Sequence, residues 1–374
     1  MKILLLGGTG TLSSEVLKLS QEKGYSVYIL NRGNNNTSIN KNVKVYIADL
    51  NCKEKVNSVL QKDKFDVIVD FFSRTKEDII NLFPIFSNRC KQYIFISSAC
   101  VYCRDNENKT PITENTAKPN RLWDYNIHKF EAEQSLIQLS NNSEKSYYTI
   151  VRPYITYDKK RIPLGITPAY KFHRTIIERI KNGKPMFVWN NGETYCTLTY
   201  SSDFAEALVG LFLNPKAKNE DFHITSDYCY KWKEVLTTLY EEMHQVPQII
   251  NVPIKTITDL LPEYKGELIG DRSLNAIFNN QKIKNAVPEL QFKVSLREGI
   301  RKVISFYETS NDFYYDYKYD ARIDKLLSQV TKKHIKYIKY PHSNRNSKIT
   351  YLLHRYLPQK IANRLNLIIT QIRK

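Results

Sequence analysis

The N-terminal stretch, residues 1–32, decides the fold and reads MKILLLGGTGTLSSEVLKLSQEKGYSVYILNR. Residues 3–6 are a short, continuous apolar run, as in a buried parallel strand. A glycine turn follows, then a helical pattern of apolar residues that stops at Gly24, and then a second strand pattern at residues 25–30. This order predicts a site that binds a dinucleotide, whereas the alternative is a tight turn that binds nothing.

The turn has the spacing Gly7-x-x-Gly10-x-x-Ser13. Glycine keeps such a turn tight and lets backbone N–H groups approach a pyrophosphate at the N-terminus of the helix. We therefore predict that Gly7, Gly10, Thr11 and Leu12 contact the cofactor. Ser13 takes the third position, where helix and strand pack closely, and serine is small enough for it.

The end of the second strand, Asn31-Arg32, indicates which cofactor binds. An acidic residue there would accept a hydrogen bond from the 2′-hydroxyl group of NAD. This chain has no carboxylate at that place, and the Arg32 guanidinium can pair with the 2′-phosphate of NADP. We therefore expect NADP(H) to be preferred and leave NAD(H) open. The alternative for Arg32 is a solvated charge in a loop.

Strand and helix patterns continue to alternate after this unit. Strands are predicted at residues 43–47, 66–70 and 93–97, and a helix at residues 77–83 that ends or kinks near Pro84. The alternation predicts an α/β fold with a doubly wound parallel sheet covered by helices on both faces. Ligands are expected at the carboxyl ends of its strands.

Composition sets limits on the class of protein. The 374 residues are 42% hydrophobic and 25% charged, with a mean hydropathy of −0.46, which indicates a globular protein of two domains or of one domain with an insertion. The six cysteines are scattered, as reduced cysteines usually are, and no apolar run reaches the ~18 residues of a membrane span. Without a signal-peptide pattern, we expect a cytoplasmic protein.

The seven histidines lack metal-ligand spacing, so we expect no metal.

Two further signals concern catalysis. Ser98 follows the fifth predicted strand, and Tyr125 and Lys129 are spaced as Tyr-x-x-x-Lys in a predicted helix, so both side chains lie on one face. A phenol, with a pKa of about 10, is a poor acid at neutral pH, and a nearby cation stabilises the phenolate. Tyr125 can then donate a proton to a carbonyl oxygen as hydride arrives, Ser98 would hydrogen-bond that oxygen, and Lys129 would hold the nicotinamide ribose. The alternative is an ordinary surface helix.

The order of the glycine turn, Ser98, Tyr125 and Lys129 resembles the extended short-chain dehydrogenases/reductases, and among them the nucleotide-sugar enzymes. Val151-Arg152-Pro153 and residues 199–203 look like two further segments of that family. The resemblance implies a homodimer. It also implies a Rossmann-type dinucleotide domain, a smaller C-terminal α/β substrate region and a basic helical tail, at residues 1–155 with about 191–225, about 156–190 with 226–310, and 311–374.

The resemblance also implies roles for single residues. Asp49 and Leu50, at the end of the third strand, would lie near the adenine ring, and Phe72 would lie where the chain passes the cofactor. Cys100 takes the place of a cysteine that acts as acid or base in the family's GDP-fucose synthases, although a small buried thiol is the interpretation we favour. In the family's sugar-nucleotide enzymes, an arginine in the strand before residues 199–203 binds the diphosphate, and this chain departs from them with Cys196 at that place. Arg272 could supply the charge instead, and its alternative is a loop arginine.

The residues after Ser98 bear on the reaction. The family's 4,6-dehydratases have Asp-Glu there, whereas this chain has Ala99-Cys100 and lacks the acid that expels water. The 4-epimerases retain tightly bound NAD, which Asn31-Arg32 disfavours. We therefore expect NADPH-dependent reduction of a nucleotide-diphospho-4-keto-6-deoxyhexose for polysaccharide biosynthesis, with dTDP-4-keto-6-deoxyglucose reduced to dTDP-fucose as the first case. An epimerase or an epimerase-reductase is the alternative.

The C-terminal tail holds most of the net charge. Residues 321–374 carry 13 Lys/Arg and one acidic residue, Asp324, which gives +12 of the total of +18. A basic amphipathic helix either lies on an anionic membrane surface or packs on its own domain or a subunit, and we favour packing. Its apolar residues recur at helical spacing, at Leu352, Leu353, Tyr356, Leu357, Ile361, Leu365, Ile368, Ile369 and Ile372.

A function of another class is an inactive relative that binds nucleic acid or serves as a scaffold. The basic tail fits a phosphate-binding surface. However, the tail has no recognisable nucleic-acid-binding module, and Ser98, Tyr125 and Lys129 are all present. We therefore favour an enzyme and do not expect nucleic acid as a partner.

Overall fold

A computed structural model of the chain describes residues 1–34, 43–105, 109–141, 146–311 and 313–371, with side chains as far as Ile368. Ile372 and the side chain of Ile369 lie outside the described residues. In chain order, the strands and α-helices are β1 (Lys2–Leu6), α1 (Thr11–Glu22), β2 (Ser26–Asn31), β3 (Lys44–Ile47), α2 (Lys53–Leu60), β4 (Val67–Asp70), α3 (Lys76–Ser87), β5 (Gln92–Ile96), α4 (Asp124–Asn141), β6 (Tyr147–Pro153), β7 (Ile155–Tyr157), α5 (Arg174–Lys181), β8 (Met186–Val188), β9 (Tyr195–Tyr200), α6 (Ser201–Gly210), β10 (Glu220–Ile224), β11 (Cys229–Lys231), α7 (Trp232–Glu242), β12 (Ile249–Asn251), α8 (Ile254–Leu260), α9 (Lys265–Glu267), α10 (Gln281–Ala286), α11 (Leu296–Thr309), α12 (Tyr317–Thr331), α13 (Arg345–Tyr356) and α14 (Gln359–Gln371).

The first of two compact units comprises residues 1–158, 197–229 and 274–294. Its centre is a seven-stranded sheet with the order β10-β6-β5-β4-β1-β2-β3, in which every neighbouring pair is parallel. The predicted Rossmann-type α/β fold is confirmed.

Both faces of this sheet are covered, which explains why β1 is a continuous apolar run. Ile3 and Leu5 belong to one core cluster, shared with α1 and α6. Leu4 and Leu6 belong to a second cluster, shared with α2, α3 and α4. All four side chains are completely buried. Successive residues of β1 therefore pack against helices on opposite faces of the sheet.

The strand order reverses at β1, which lies between β2 and β4. In a sheet of this kind, ligands bind outside the carboxyl ends of the strands at the point of reversal. The glycine turn follows β1 directly, Asn31 ends β2, Phe72 follows β4 and Ser98 follows β5. The topology therefore gathers the predicted site residues of the first unit at one edge of the sheet.

Helix α3 continues past Pro84 to Ser87, so the expectation that it ends near Pro84 is wrong, and the alternative of a kink there stays a prediction. Proline removes the N–H that would bond the carbonyl of the residue four positions earlier. That residue, Ile80, is 43% exposed, so water can reach its side of the helix and satisfy the carbonyl.

The second compact unit comprises residues 159–196, 230–273 and 295–374. It contains the parallel pair of β8 and β12 together with helices α5, α7, α8, α9 and α11 to α14. The indole N–H groups of Trp189 and Trp232 both donate to the carbonyl of Arg272, at 3.2 and 2.9 Å. Gly165 permits this packing, because an added Cβ would overlap the Trp189 ring.

A cluster of four buried charged side chains lies in the second unit and consists of Arg179, Lys184, Asp320 and Asp324. Arg179 Nη1 donates to both carboxylates, at 2.5 and 2.8 Å, and Lys184 Nζ donates to both, at 2.7 and 2.6 Å. Each charge has two opposite partners, which offsets the cost of removing it from water. The cluster fastens α12 to α5.

Candidate active site

The glycine turn between β1 and α1 is tight on both sides. Gly7 has a φ of 82°, a left-handed conformation that other residues rarely adopt, and its N–H donates to the Leu30 carbonyl at 3.0 Å. Gly8 packs on β2 so closely that an added Cβ would lie 2.9 Å from the Ile29 side chain. The backbone is therefore free of side chains where a ligand would approach it.

Ser13 does more than pack at the third position of the turn. Its hydroxyl accepts the Gly10 N–H at 2.9 Å and donates to the Gly7 carbonyl at 3.2 Å. Thr11 and Leu12 begin α1, whose first turn holds no acidic residue to compensate the positive end of the helix dipole. This arrangement fits the pyrophosphate of a dinucleotide.

A cavity of ≈170 Å³ opens beside the turn. It is lined by Gly7, Thr9, Leu30, Asn31, Arg32, Asn34, Ala48, Leu50 and Phe72. Five of these residues, Gly7, Asn31, Arg32, Leu50 and Phe72, were predicted from the sequence to bind the cofactor. The other four were missed, and their only signal in the sequence was that each lies within two residues of a predicted one. The position of the cavity, beside the glycine turn and the end of β2, fits the adenosine end of a dinucleotide.

Asn31 and Arg32 shape the end of this cavity. Asn31 Oδ1 accepts the Gly33 N–H at 2.8 Å, and the Asn31 carbonyl accepts the Ala48 N–H at 3.0 Å. Arg32 is exposed, and no carboxylate of the described residues forms an ion pair with it. Its guanidinium is therefore open to a phosphate group of a ligand.

Asp49 does not line the cavity. Its carboxylate accepts the backbone N–H and the side-chain amide of Asn51, both at 3.0 Å. These contacts are those of a turn residue at a strand end, the alternative noted for it from the sequence. Its predicted contact with adenine stays a prediction.

Ser98 and Tyr125 come from the ends of two different elements. Ser98 lies after β5, is 7% exposed, and its hydroxyl accepts the Cys100 N–H at 3.3 Å, which caps the short 3₁₀ turn Ala99–Val101. Tyr125 is the second residue of α4 and is half-buried, with its ring centre 4.8 Å from that of Trp123. Both hydroxyl-bearing residues thus have an ordered environment before any ligand is bound.

Lys129 follows Tyr125 by one helical turn and is buried. Its ammonium donates to the carbonyls of Ser73 and Ile96, at 2.7 and 2.9 Å, and so joins α4 to the ends of β4 and β5. Burial lowers the pKa of Lys129 to about 8, although the Asp70 carboxylate acts in the opposite direction. The side chain therefore keeps most of its charge at neutral pH, and one of its three N–H donors is left for a ligand.

A comparison with protein families identifies the chain. The model of the NAD dependent epimerase/dehydratase family matches residues 3–225. The chain belongs to this family. The resemblance to the extended short-chain dehydrogenases/reductases of the nucleotide-sugar type is thereby confirmed.

Two relatives of the chain have names that describe different functions, one the binding of a stem-loop and the other a reduction. The chloroplast stem-loop binding protein of 41 kDa b from Arabidopsis thaliana is 27% identical over 242 residues, 60% of this chain and 59% of that protein. The 2'-dehydrokanamycin reductase of Streptomyces kanamyceticus is 21% identical over 247 residues, 65% of this chain and 66% of that protein. Each match spans less than two thirds of the relative's length.

A solved structure shares the fold of the chain. The UDP-glucose 4-epimerase of Thermus thermophilus, in complex with NAD, superposes with a TM-score of 0.65 and 16% identity. The alignment covers 83% of this chain and 100% of that one. This likeness is one of fold.

A buried polar network lies directly behind the site residues of this family member. The Arg152 guanidinium donates to both oxygens of Glu133, at 2.9 and 2.8 Å, and to the Tyr102 hydroxyl at 2.9 Å. Ser97, the neighbour of Ser98, donates its hydroxyl to Glu133 at 2.5 Å. Glu133 lies one turn after Lys129 in α4, so the network connects α4 to β6 and to the end of β5.

The network was missed from the sequence, although Val151-Arg152-Pro153 was recognised as a family segment. Burial opposes the charge of Arg152, but the Glu133 carboxylate outweighs it and raises the pKa of the guanidinium. Burial lowers the pKa of His223, whose Nδ1 lies 3.4 Å from the Tyr102 hydroxyl, to about 4. At neutral pH the network therefore contains a charged arginine and a neutral histidine.

The two predicted substrate-binding residues have different surroundings. Cys100 is 6% exposed, which agrees with the favoured interpretation as a small buried thiol. Arg272 lies in the second unit, where its guanidinium pairs with Asp271 and, at 2.6 Å, with Glu267. Its charge is balanced within its own turn, and diphosphate binding stays a prediction. Among the described residues, no group of three His, Cys, Asp or Glu could hold a metal ion.

Proposed function

We propose that this protein is an NADPH-dependent reductase of a nucleotide-diphospho-4-keto-6-deoxyhexose, with dTDP-4-keto-6-deoxyglucose reduced to dTDP-fucose as the first case to test. The observation that carries the proposal is that a tight glycine turn follows β1 and Ser98 follows β5 of the same parallel sheet. Tyr125 and Lys129 lie one turn apart in α4, and the Lys129 ammonium donates to the Ile96 carbonyl at the end of β5. The name of the reductase relative supports a reduction. The missing Asp-Glu after Ser98 argues against dehydration.

The side chains divide the work of the reduction. The reduced dinucleotide, when bound, supplies hydride to the carbonyl carbon of the sugar. Tyr125 donates its phenolic proton to the carbonyl oxygen, which turns the ketone into a secondary alcohol. Ser98 donates a hydrogen bond to the same oxygen and stabilises the charge that develops on it. Lys129 favours the phenolate that the proton transfer leaves behind.

The enzymatic test is a panel of 4-keto nucleotide sugars with NADPH, followed by the loss of absorbance of the reduced cofactor. We expect turnover with at least one 4-keto-6-deoxyhexose, and Tyr125→Phe to lower kcat by about 10²–10⁴-fold because general acid catalysis is lost. Tyr228→Phe is the matched control, since Tyr228 is 54% exposed and lies outside the site. Turnover that survives in Tyr125→Phe would contradict the assigned role.

Cofactor choice is tested separately at Arg32. Arg32→Ala should weaken the binding of NADPH by about 10- to 100-fold, because a hydrogen-bonded charge pair with the 2′-phosphate is lost, and should leave the binding of NADH almost unchanged. Lys18→Ala, which removes an exposed charge from α1, is the control. Equal losses for the two cofactors would refute the preference for NADPH and favour an epimerase that retains NAD.

A nucleic-acid-binding function is the second candidate, because the Arabidopsis relative is named for stem-loop binding. The test is the binding of a stem-loop RNA at several salt concentrations. A dissociation constant that rises steeply with salt, in a protein that turns over none of the nucleotide sugars, would replace the reductase proposal with this one.

A further inference from the structure

Helix α14 carries apolar and basic side chains on its solvent side. We call Lys360, Ile361, Arg364, Leu365 and Ile368 the outer face. Ile361 is 51% exposed, Leu365 36% and Ile368 41%, and they are spaced so that they lie on one side of the helix. Lys360 and Arg364 are exposed as well. This face lies in the second unit and shares no residue with the proposed active site.

The inner faces of α13 and α14 are already packed by other residues. Tyr351 is 1% exposed and its hydroxyl donates to Asp324 at 2.6 Å, while Ala362 is completely buried. Thr350 and Asn366 join the two helices through a side-chain hydrogen bond of 3.0 Å. The apolar residues of the outer face keep between 36% and 51% of their surface exposed, and the packing favoured from the sequence, on the chain's own domain or on a subunit, stays a prediction.

Three further apolar residues of α13 and α14 are exposed. Leu352 and Tyr356 of α13 are 39% and 60% exposed, and Leu367 of α14 is 63% exposed. Exposed apolar residues are common when single, but a contiguous group of them marks a surface that is covered by a partner.

The positive charge of the chain after Asp324 indicates which kind of partner binds the outer face. After Asp324, the chain has 12 Lys/Arg and no acidic residue. A second copy of the chain would bring like charges together, which opposes self-association through this face. A nucleic acid would pair with Lys360 and Arg364 but would gain nothing from Ile361, Leu365 and Ile368. A membrane surface with anionic lipids satisfies both kinds of side chain.

We propose that the outer face of α14 binds the surface of a membrane that contains anionic lipids. Ile361, Leu365 and Ile368 enter the boundary between headgroups and acyl chains, and Lys360 and Arg364 contact the lipid phosphates. The helix lies parallel to the surface, and none of the helices that the structure describes is long and apolar enough to cross a bilayer.

The experiment is co-sedimentation of the full chain with two kinds of vesicle, one of phosphatidylcholine alone and one of phosphatidylglycerol mixed with phosphatidylcholine. We expect binding to the mixed vesicles that weakens as salt is raised. The triple variant Ile361→Ser, Leu365→Ser, Ile368→Ser and the double variant Lys360→Gln, Arg364→Gln should each bind at least about tenfold more weakly.

Matched controls remove equivalent side chains elsewhere in the second unit. Val246→Ser changes an apolar residue that is 80% exposed, and Lys233→Gln with Lys265→Gln removes two exposed charges. Both should bind vesicles like the unchanged protein. Substitution is used instead of truncation because removing the chain from about residue 320 would leave Arg179 and Lys184 buried without Asp324.

Three results would overturn the proposal. The first is that the unchanged protein does not co-sediment with either kind of vesicle. The second is that the triple variant binds vesicles normally but loses a dimer seen by sedimentation velocity, which would make the face a subunit interface. The third is that stem-loop RNA binding depends on Lys360 and Arg364 while vesicle binding does not. Circular dichroism and NADPH binding, which should be unchanged, show that the variants are folded.

Discussion

In the first unit, the Arg152–Glu133 pair is buried behind Ser98, whereas in the second unit Arg179 and Lys184 are buried against two aspartates. The first network is built from groups on α4 and β6 and directly after β5, close in the chain to the proposed catalytic residues. The second joins residues more than 130 positions apart in the chain and fastens the beginning of the tail.

The difference between the two networks lies in how far water reaches their carboxylates. Arg152 also pairs with Asp221 at 2.5 Å, and the Asp221 side chain is 25% exposed, so water supports part of that network. Asp320 and Asp324 are completely buried, and water supports neither. Buried charge thus joins α4 to β6 and the end of β5 in the first unit, and α12 to α5 in the second. The loss of one carboxylate should therefore lower the free energy of unfolding more in the second unit.

The largest expected effect is that of Asp324→Asn. The substitution leaves Arg179 and Lys184 with Asp320 as their one carboxylate partner in the cluster. Because a buried charge without its partner is costly, the free energy of unfolding should fall by about 3–5 kcal/mol, measured by urea denaturation. Asp259→Asn, which breaks an exposed pair with Lys255, is the control and should change nothing measurable. Equal stability of both variants would show that the cluster does not hold the tail.

A smaller effect is expected from Glu133→Gln in the first network. Arg152 keeps Asp221 as a partner, so the loss in the free energy of unfolding should be about 1–3 kcal/mol, measured in the same way. Glu131→Gln is the matched control, because Glu131 is exposed on the same helix two residues earlier. A loss larger than that of Asp324→Asn would reverse the ranking of the two networks.

The smallest effect concerns pH and His223. Burial lowers the pKa of His223 to about 4. As the pH falls below about 6.5, the imidazole is therefore protonated in the unfolded chain but stays neutral in the folded chain. Stability should therefore fall between pH 6.5 and 4, by at most about 1.4 kcal/mol per pH unit from this residue. In His223→Gln the slope of melting temperature against pH should be shallower, and in His128→Gln, an exposed site, it should be unchanged.

The corresponding loss at Asp324 belongs to a more acidic range. Burial opposes its charge, but Arg179 and Lys184 outweigh burial and lower the pKa of the carboxyl group. Its contribution to stability is present above the ordinary value of about 3.9 and is lost as the pH falls through the lowered value. If His223→Gln leaves the slope of melting temperature against pH unchanged between pH 6.5 and 4, the slope belongs instead to the buried His173 and His354, whose pKa values are also lowered by burial.

Much of the first unit could be predicted because its signals are local. The apolar run of β1, the left-handed Gly7 and the spacing of Tyr125 and Lys129 involve residues that are close together in the chain. Arg32 was also recognisable as a candidate for binding a phosphate, because that proposed role depends on its place at the end of β2. Helix α3 shows the limit of this reasoning, since its tolerance of Pro84 depends on which side of the helix meets water.

The sequence alone determined the alternation of strands and helices over residues 3–97, the glycine turn and the residue types available for catalysis, because these follow from backbone preferences and apolar spacing over a few residues. It also determined that the tail is basic and helical. The tertiary structure decided that Arg152 pairs with Glu133, that Arg179 pairs with residues 320 and 324, and that Ile361, Leu365 and Ile368 point outwards. Periodicity shows that a helix has an apolar side, but only the packing of distant segments determines which side is buried.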